Sequence, residues 1–106
     1  MIKKQYVKSR KVYKVTFSMP KKEQPEGVDV KTVHLVGNFN TWSNTKNPMK
    51  PNSKGVFKTT LEFKPGQELQ FRYFVNQEFW ANEWSAEEYQ PNEFGGDNCI
   101  LHLPAV

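Results

Sequence analysis

One stretch decides the fold: Leu69-Gln70-Phe71-Arg72-Tyr73-Phe74-Val75. Every second side chain, starting at Leu69, is large and apolar. A period of two is typical of a β-strand with one face in the core, and it does not suit a helix. The alternation also predicts that Arg72 points out of the opposite face of the sheet.

Similar short segments occur along the rest of the chain. Residues 11–19 alternate in the same way, and we expect further strands at 30–36, 56–63 and 98–103. Turn signals such as Lys64-Pro65-Gly66 separate them. No segment carries the 3.6-residue period of an amphipathic helix. The sequence therefore predicts an all-β fold, an antiparallel β-sandwich or barrel.

Length and composition favour one domain without covalent cross-links. The 106 residues suit a single domain, 1–106, with one hydrophobic core. The only cysteine, Cys99, cannot form an internal disulfide. We see neither a signal peptide nor a membrane span, so a cytoplasmic protein is expected. Lysine and arginine crowd the N-terminus, and we expect residues 1–10 to form a basic arm that can fray.

The residue patterns needed for catalysis are missing from the sequence. His34 and His102 lie in different strands with no cysteine or carboxylate at metal-ligand spacing, which favours structural roles. Glu87 and Glu88 are adjacent, whereas glycosidases set their two carboxyl groups across a cleft. There is no nucleophile elbow or phosphate-binding loop. The sequence predicts no enzyme activity, no metal and no cofactor.

Aromatic side chains at strand ends and in loops are more informative. The segment at 37–42 ends a strand and carries Trp42 into a polar loop, with Phe39 as an apolar plug beneath the turn. Trp80 and Trp84 follow the strand at 69–75. Indole faces pack on the C–H groups of sugar rings, while arginine and asparagine bond the hydroxyls. The combination favours an uncharged polyhydroxylated ligand, although any one tryptophan could instead cover the core, and Trp84 is interpreted as a structural or rim residue.

The segment Val33-His34-Leu35-Val36-Gly37-Asn38-Phe39-Asn40-Thr41-Trp42 resembles family-48 carbohydrate-binding modules. These include the glycogen-binding domain of the AMP-activated protein kinase β-subunit and the early-set N-terminal domains of isoamylases. The resemblance continues through residues 69–75 and 80–83 and closes with 91–101, so that it covers about 30–103. It implies an immunoglobulin-like antiparallel β-sandwich that binds α-glucan, such as glycogen, starch or a maltooligosaccharide.

The resemblance also implies which residues bind the sugar. In the glycogen-binding members two tryptophans stack on glucose, and Trp42 and Trp80 hold their places. Arg72 stands where those members have a lysine that bonds hydroxyls. Asn98 stands where an asparagine does the same. Phe94 replaces a leucine that abuts the glucan.

Three positions depart from the glycogen-binding pattern. Arg72 keeps the charge of a lysine but presents its donors in a planar fork. Phe94 enlarges the apolar tip, and Gly96 removes the hydroxyl of a threonine found in the kinase subunit. The isoamylase-like ending Phe-Gly-Gly-x-Asn fits residues 94–98 better.

The function expected from the residues and the resemblance is a non-catalytic α-glucan-binding module. An alternative is the same sandwich without sugar binding, docking onto a glucan-metabolising enzyme through its strand edges. Binding of single-stranded nucleic acid needs aromatic and basic groups together, whereas residues 78–97 place acidic groups near the tryptophans. We therefore expect no nucleic-acid or membrane partner.

Overall fold

The fold is built from β-strands. The computed structural model describes residues 2–82, 88–92 and 96–105, of which 53% lie in strands and none in an α-helix, so the predicted all-β class is confirmed. No helix within these ranges is long and apolar enough to cross a membrane. The strands are β1 Ile2–Val7, β2 Val12–Met19, β3 Val33–Gly37, β4 Pro48–Pro51, β5 Phe57–Phe63, β6 Glu68–Val75, β7 Phe79–Ala81, β8 Glu88–Pro91 and β9 Asp97–His102.

The strands form one curled antiparallel sheet, a half-barrel, in the order β1-β2-β5-β4-β3-β6-β9-β8. Strand β7 pairs with the C-terminal half of β6, and β9 pairs with its N-terminal half. Strand β4 pairs first with β3 and then with β5, and a strand that changes partners in this way turns the sheet through a corner. The immunoglobulin-like sandwich implied by the resemblance stays a prediction.

The core consists of inward side chains from the strands. The inward set predicted for β6, namely Leu69, Phe71, Tyr73 and Val75, is buried. Strand β2 adds Phe17, whose ring centroid lies 5.0 Å from that of Phe71 and 6.5 Å from that of Phe63. Edge-to-face pairs of this kind contribute about 0.5–1.5 kcal/mol beyond the burial of their area.

The expected basic arm contributes a strand to the sheet. All six residues of β1 pair with β2, from Ile2 opposite Phe17 to Val7 opposite Val12. The Lys4 ammonium donates to the carbonyl oxygen of His102 at 3.1 Å, which ties this edge strand to the end of β9. Because Ile2 also packs against the core, the strand has an apolar contact as well as its ladder.

The turn after β3 places one aromatic ring in the core. Phe39 packs on Phe17 at 6.3 Å and on Phe63 at 5.1 Å between ring centroids, so it is the apolar plug that the sequence predicted. Gly37 is extended, with φ of −164°. A Cβ there would lie 2.5 Å from the Phe39 ring and 2.6 Å from the carbonyl oxygen of Gln70. Glycine is therefore required by space and not by backbone conformation.

The same turn is held by the buried amide of Asn40. Its Oδ1 accepts hydrogen bonds from the backbone N–H of Gly37 at 3.1 Å and of Ser43 at 3.2 Å. Its Nδ2 donates to the carbonyl of Leu35 at 2.9 Å and to Oδ1 of Asn47 at 2.7 Å. These four bonds use the full hydrogen-bonding capacity of the amide, so the turn is fixed on both sides.

Replacing Asn40 by alanine should lower the free energy of unfolding by about 3 kcal/mol, because each buried polar group left without a partner costs about 1–3 kcal/mol. Urea denaturation followed by tryptophan fluorescence measures the change. Asn38→Ala is the matched control, since its exposed amide bonds the backbone of Glu68 and Gln70 from the same turn. We expect it to lose about 1 kcal/mol. Equal losses in the two variants would contradict the role given to Asn40.

Candidate functional site

The outer face of β6 and β7 carries a pair of aromatic rings, of which Phe74 is half-buried and Trp80 is exposed. Because Tyr73 and Val75 point into the core, Arg72 and Phe74 point outward. Trp80 lies on β7 directly opposite Phe74, with 4.5 Å between the two ring centroids. Trp80 is 46% exposed, so it lies at the surface and not in the core.

A tight hairpin sets the position of Trp80. Asn76 and Gln77 have φ values of 54° and 56°, and the N–H of Glu78 donates to the carbonyl of Val75 at 3.0 Å. Two central residues in the left-handed region are typical of a type I′ turn, whose twist matches that of the flanking strands. The ladder then pairs Val75 with Phe79, so that Glu78 stands between the turn and the paired part of β7, and this register places Trp80 on the outer face.

Arg72 lies against three neighbours on this face. Its Nε donates to Oδ1 of Asn82 at 2.9 Å. Its guanidinium carbon lies 5.2 Å from the centroid of the Trp80 ring, at cation–π distance. On the third side is Gly96, where a Cβ would come within 2.8 Å of Nη1 of the same side chain. The structure thus brings Arg72 and Trp80, two of the predicted site residues, into direct contact.

Asn98 lies on the neighbouring strand β9 and points outward, because the next residue, Cys99, is buried in the core. Its Oδ1 accepts a hydrogen bond from Nδ2 of Asn92 at 3.2 Å. Asn92 also donates its backbone N–H to the carbonyl of Gly96 at 2.8 Å and accepts the Gly96 N–H on Oδ1 at 3.2 Å. Asn98 is therefore connected through Asn92 to the glycine that adjoins Arg72.

Trp42 is presented by the turn after β3. Its side chain is exposed (41%), and its backbone N–H donates to the carbonyl of Gly37 at 2.8 Å. Thr41 and Trp42 have φ values of 59° and 56°. The left-handed region costs most L-residues about 1–2 kcal/mol each. Such strain persists only where the surroundings impose it, here through the Asn40 amide, and it commonly marks functional sites.

A glutamine connects the loops that carry the two tryptophans. The Gln77 amide, in the β6–β7 turn, donates to the carbonyl of Asn44 at 2.8 Å, two residues after Trp42. The same nitrogen lies 3.0 Å from Nδ1 of His34. This contact is consistent with the structural role predicted for that histidine.

Some residues singled out in the sequence lie outside the described ranges. Conversely, some residues that contact Arg72 and Trp80 in the structure were not predicted. Phe94, Trp84 and Glu87 belong to the first group. Phe74 and Asn82 belong to the second. No local pattern in the sequence marks Asn82, whose place follows from the hairpin register. Val75 pairs with Phe79 across the three residues 76–78, so continuing the ladder sets residue 82 opposite residue 72.

Charged groups elsewhere offer little chemistry. In the part of the chain that the structure describes, no three His, Cys, Asp or Glu side chains could hold a metal ion together. His102 lies 3.8 Å from a carboxylate oxygen of Glu68 and 3.5 Å from one of Glu88, neighbours that sequence spacing did not suggest. All three side chains are about half exposed, and pairs of this kind contribute about 0–1 kcal/mol.

A comparison with known protein families identifies the family of the chain. Residues 26–104 match the model of the family described as the glycogen recognition site of AMP-activated protein kinase. The chain belongs to this family. The match takes in strands β3 to β9, whereas β1 and β2 precede it, and the family resemblance predicted from the sequence is confirmed. No curated protein matches the chain.

Replacing Thr41 by asparagine should raise the free energy of unfolding by about 1 kcal/mol, because asparagine tolerates the left-handed region that is costly for threonine. Thermal and urea denaturation measure the change. Thr45→Asn is the control in the same loop, at a residue whose φ is not positive, and it should change stability by less than about 0.5 kcal/mol. A gain of similar size in both variants would argue against strain at Thr41.

Proposed function

We propose that the protein is a non-catalytic module that binds α-glucan on the outer face of β6 and β7 and on the loop after β3. The observation that carries this proposal is the exposed Trp80 ring with the Arg72 guanidinium beside it. Membership of a glycogen-recognition family supports α-glucan as the ligand. Carbohydrate-binding modules of this family are non-catalytic, which supports the absence of a reaction.

The chemistry of the face suits an uncharged sugar chain. Trp80 and Trp42 each expose indole surface on which the axial C–H groups of a glucose ring can pack. The amide of Asn98 and the Nη groups of Arg72 offer hydrogen bonds to the hydroxyls around that ring. From the family resemblance, Phe94 is proposed to add an apolar contact with the glucan.

Binding to a single oligosaccharide should be weak. A shallow face covers little of the ligand, and a flexible glucan loses conformational freedom when it is ordered there. A polymer such as glycogen raises the apparent affinity, because many equivalent glucose segments lie within reach of the same face.

Native affinity gels containing glycogen should retard the wild-type protein, and either Trp42→Ala or Trp80→Ala should remove most of the retardation by removing a stacking surface. Phe79→Ala is the matched control. Phe79 is 39% exposed and adjoins Trp80 on β7, but it is paired with Val75 and faces the other side of the sheet. Its variant should migrate like the wild type, and a loss of retardation there as well would point to unfolding.

An alternative proposal is a module that does not bind sugar and docks onto a glucan-metabolising enzyme. In the described part of the chain β1 and β8 are the ends of the strand order, so both can accept a further strand. Wild-type mobility that glycogen does not change, together with co-purification of such an enzyme, would favour this function. Chemical-shift changes at Trp42, Arg72 and Trp80 on titration with maltoheptaose would favour glucan binding.

A further inference from the structure

We propose that Asn82 and Gly96 are positioning residues: together they hold the Arg72 guanidinium in one orientation beside Trp80, ready to bond sugar hydroxyls. The consequence for binding rests on the proposed function. The placement of the Arg72 side chain is independent of the proposed function and can be measured in the protein without ligand.

The hydrogen bond from Arg72 to Asn82 fixes the plane of the guanidinium. Arginine has a long side chain with many rotamers, and ordering it on binding costs free energy. Because the guanidinium is planar, a bond at Nε sets the direction of the whole fork. The two Nη groups lie in the same plane, so the bond at Nε also sets the direction in which they can donate.

Gly96 leaves the space that this orientation needs. Its φ lies outside the left-handed region, so the backbone does not demand glycine. A Cβ at this position would lie 2.8 Å from Nη1, 3.1 Å from Nη2 and 3.2 Å from Cζ of Arg72. The Gly96 backbone is held by two hydrogen bonds to Asn92. The flexible tip of the arginine would therefore move before the Gly96 backbone does.

Trp80 completes the enclosure on the remaining side. The indole attracts the cation through the negative potential of its ring face, and a guanidinium is hydrated weakly enough to stack there. Residues 72, 82 and 96, which lie far apart in the sequence, therefore act as one unit. Asn82 sets the plane of the Arg72 guanidinium, and Gly96 leaves the space for it beside the indole of Trp80.

The first test uses the free protein and the Nε–Hε signal of Arg72 in nitrogen-15 NMR spectra. In the wild type this proton should exchange slowly with water and be shifted by the Trp80 ring current. Asn82→Ala and Gly96→Ala should each move the signal towards that of an exposed arginine and speed its exchange. Asn82→Asp keeps the acceptor oxygen and should preserve the slow exchange. Asn38→Ala, in the turn after β3, is the control and should leave the signal unchanged.

The second test measures maltoheptaose affinity by NMR titration. Asn82→Ala and Gly96→Ala should each weaken binding by about 3- to 10-fold, the effect expected of one hydrogen bond. In an Arg72→Lys background the same substitutions should change affinity by less than about 2-fold, because lysine lacks the Nε and Nη groups on which they act.

Two results would overturn the inference. One is an Arg72 signal that neither Asn82→Ala nor Gly96→Ala alters, which would show that these residues do not hold the guanidinium. The other is an equal loss of affinity in the arginine and lysine backgrounds, which would mean that they act on the sugar or the fold directly. Wild-type protein that does not bind maltoheptaose would instead refute the proposed function, and the Arg72 signal would still decide its placement.

Discussion

The display of Trp42 depends on the buried amide of Asn40. The chain reverses direction after β3, where the N–H of Gly37 and the carbonyl of Leu35 need partners away from water. Asn40 supplies both, and its remaining bonds hold the residues that follow. With the backbone fixed in this way, Phe39 enters the core and Trp42 leaves it. One polar side chain thus directs Phe39 into the core and Trp42 to the surface, although the two residues lie only three positions apart.

Strand β6 links the core to the candidate site through its period of two. The side chains of Phe71 and Tyr73 fill the core, while those of Arg72 and Phe74 form the outer face. A slip of one residue in pairing would exchange the two sets, so the packing that stabilises the core also fixes the face. The pairing of Val75 with Phe79 carries this register into β7, and the position of Trp80 opposite Phe74 follows from it.

The parts of the fold that the sequence predicted are those where local pattern and burial agree. Strands β2 and β6 alternate cleanly, and the plug role of Phe39 followed from its place in a polar turn. The strands β1, β4, β7 and β8 lack that pattern: β4 begins and ends with proline, β7 has three residues and all four residues of β8 are exposed. The contacts of Arg72 with Asn82 and Gly96 depend on strand register and loop approach, which no local pattern encodes.

In the proposed function, the positively charged Arg72 suits a neutral sugar because its orientation is set before the sugar binds. On a shallow face the area removed from water is small, so affinity depends on how little freedom is lost when the sugar binds. Trp80 has few rotatable bonds, and Arg72 is held by a hydrogen bond and a ring contact before any ligand arrives. Folding has already ordered these side chains, through the hairpin turn and the asparagine that follow β6 and through a glycine further along the chain. For the proposed glucan ligand, pre-organisation of this face therefore matters more than contact area.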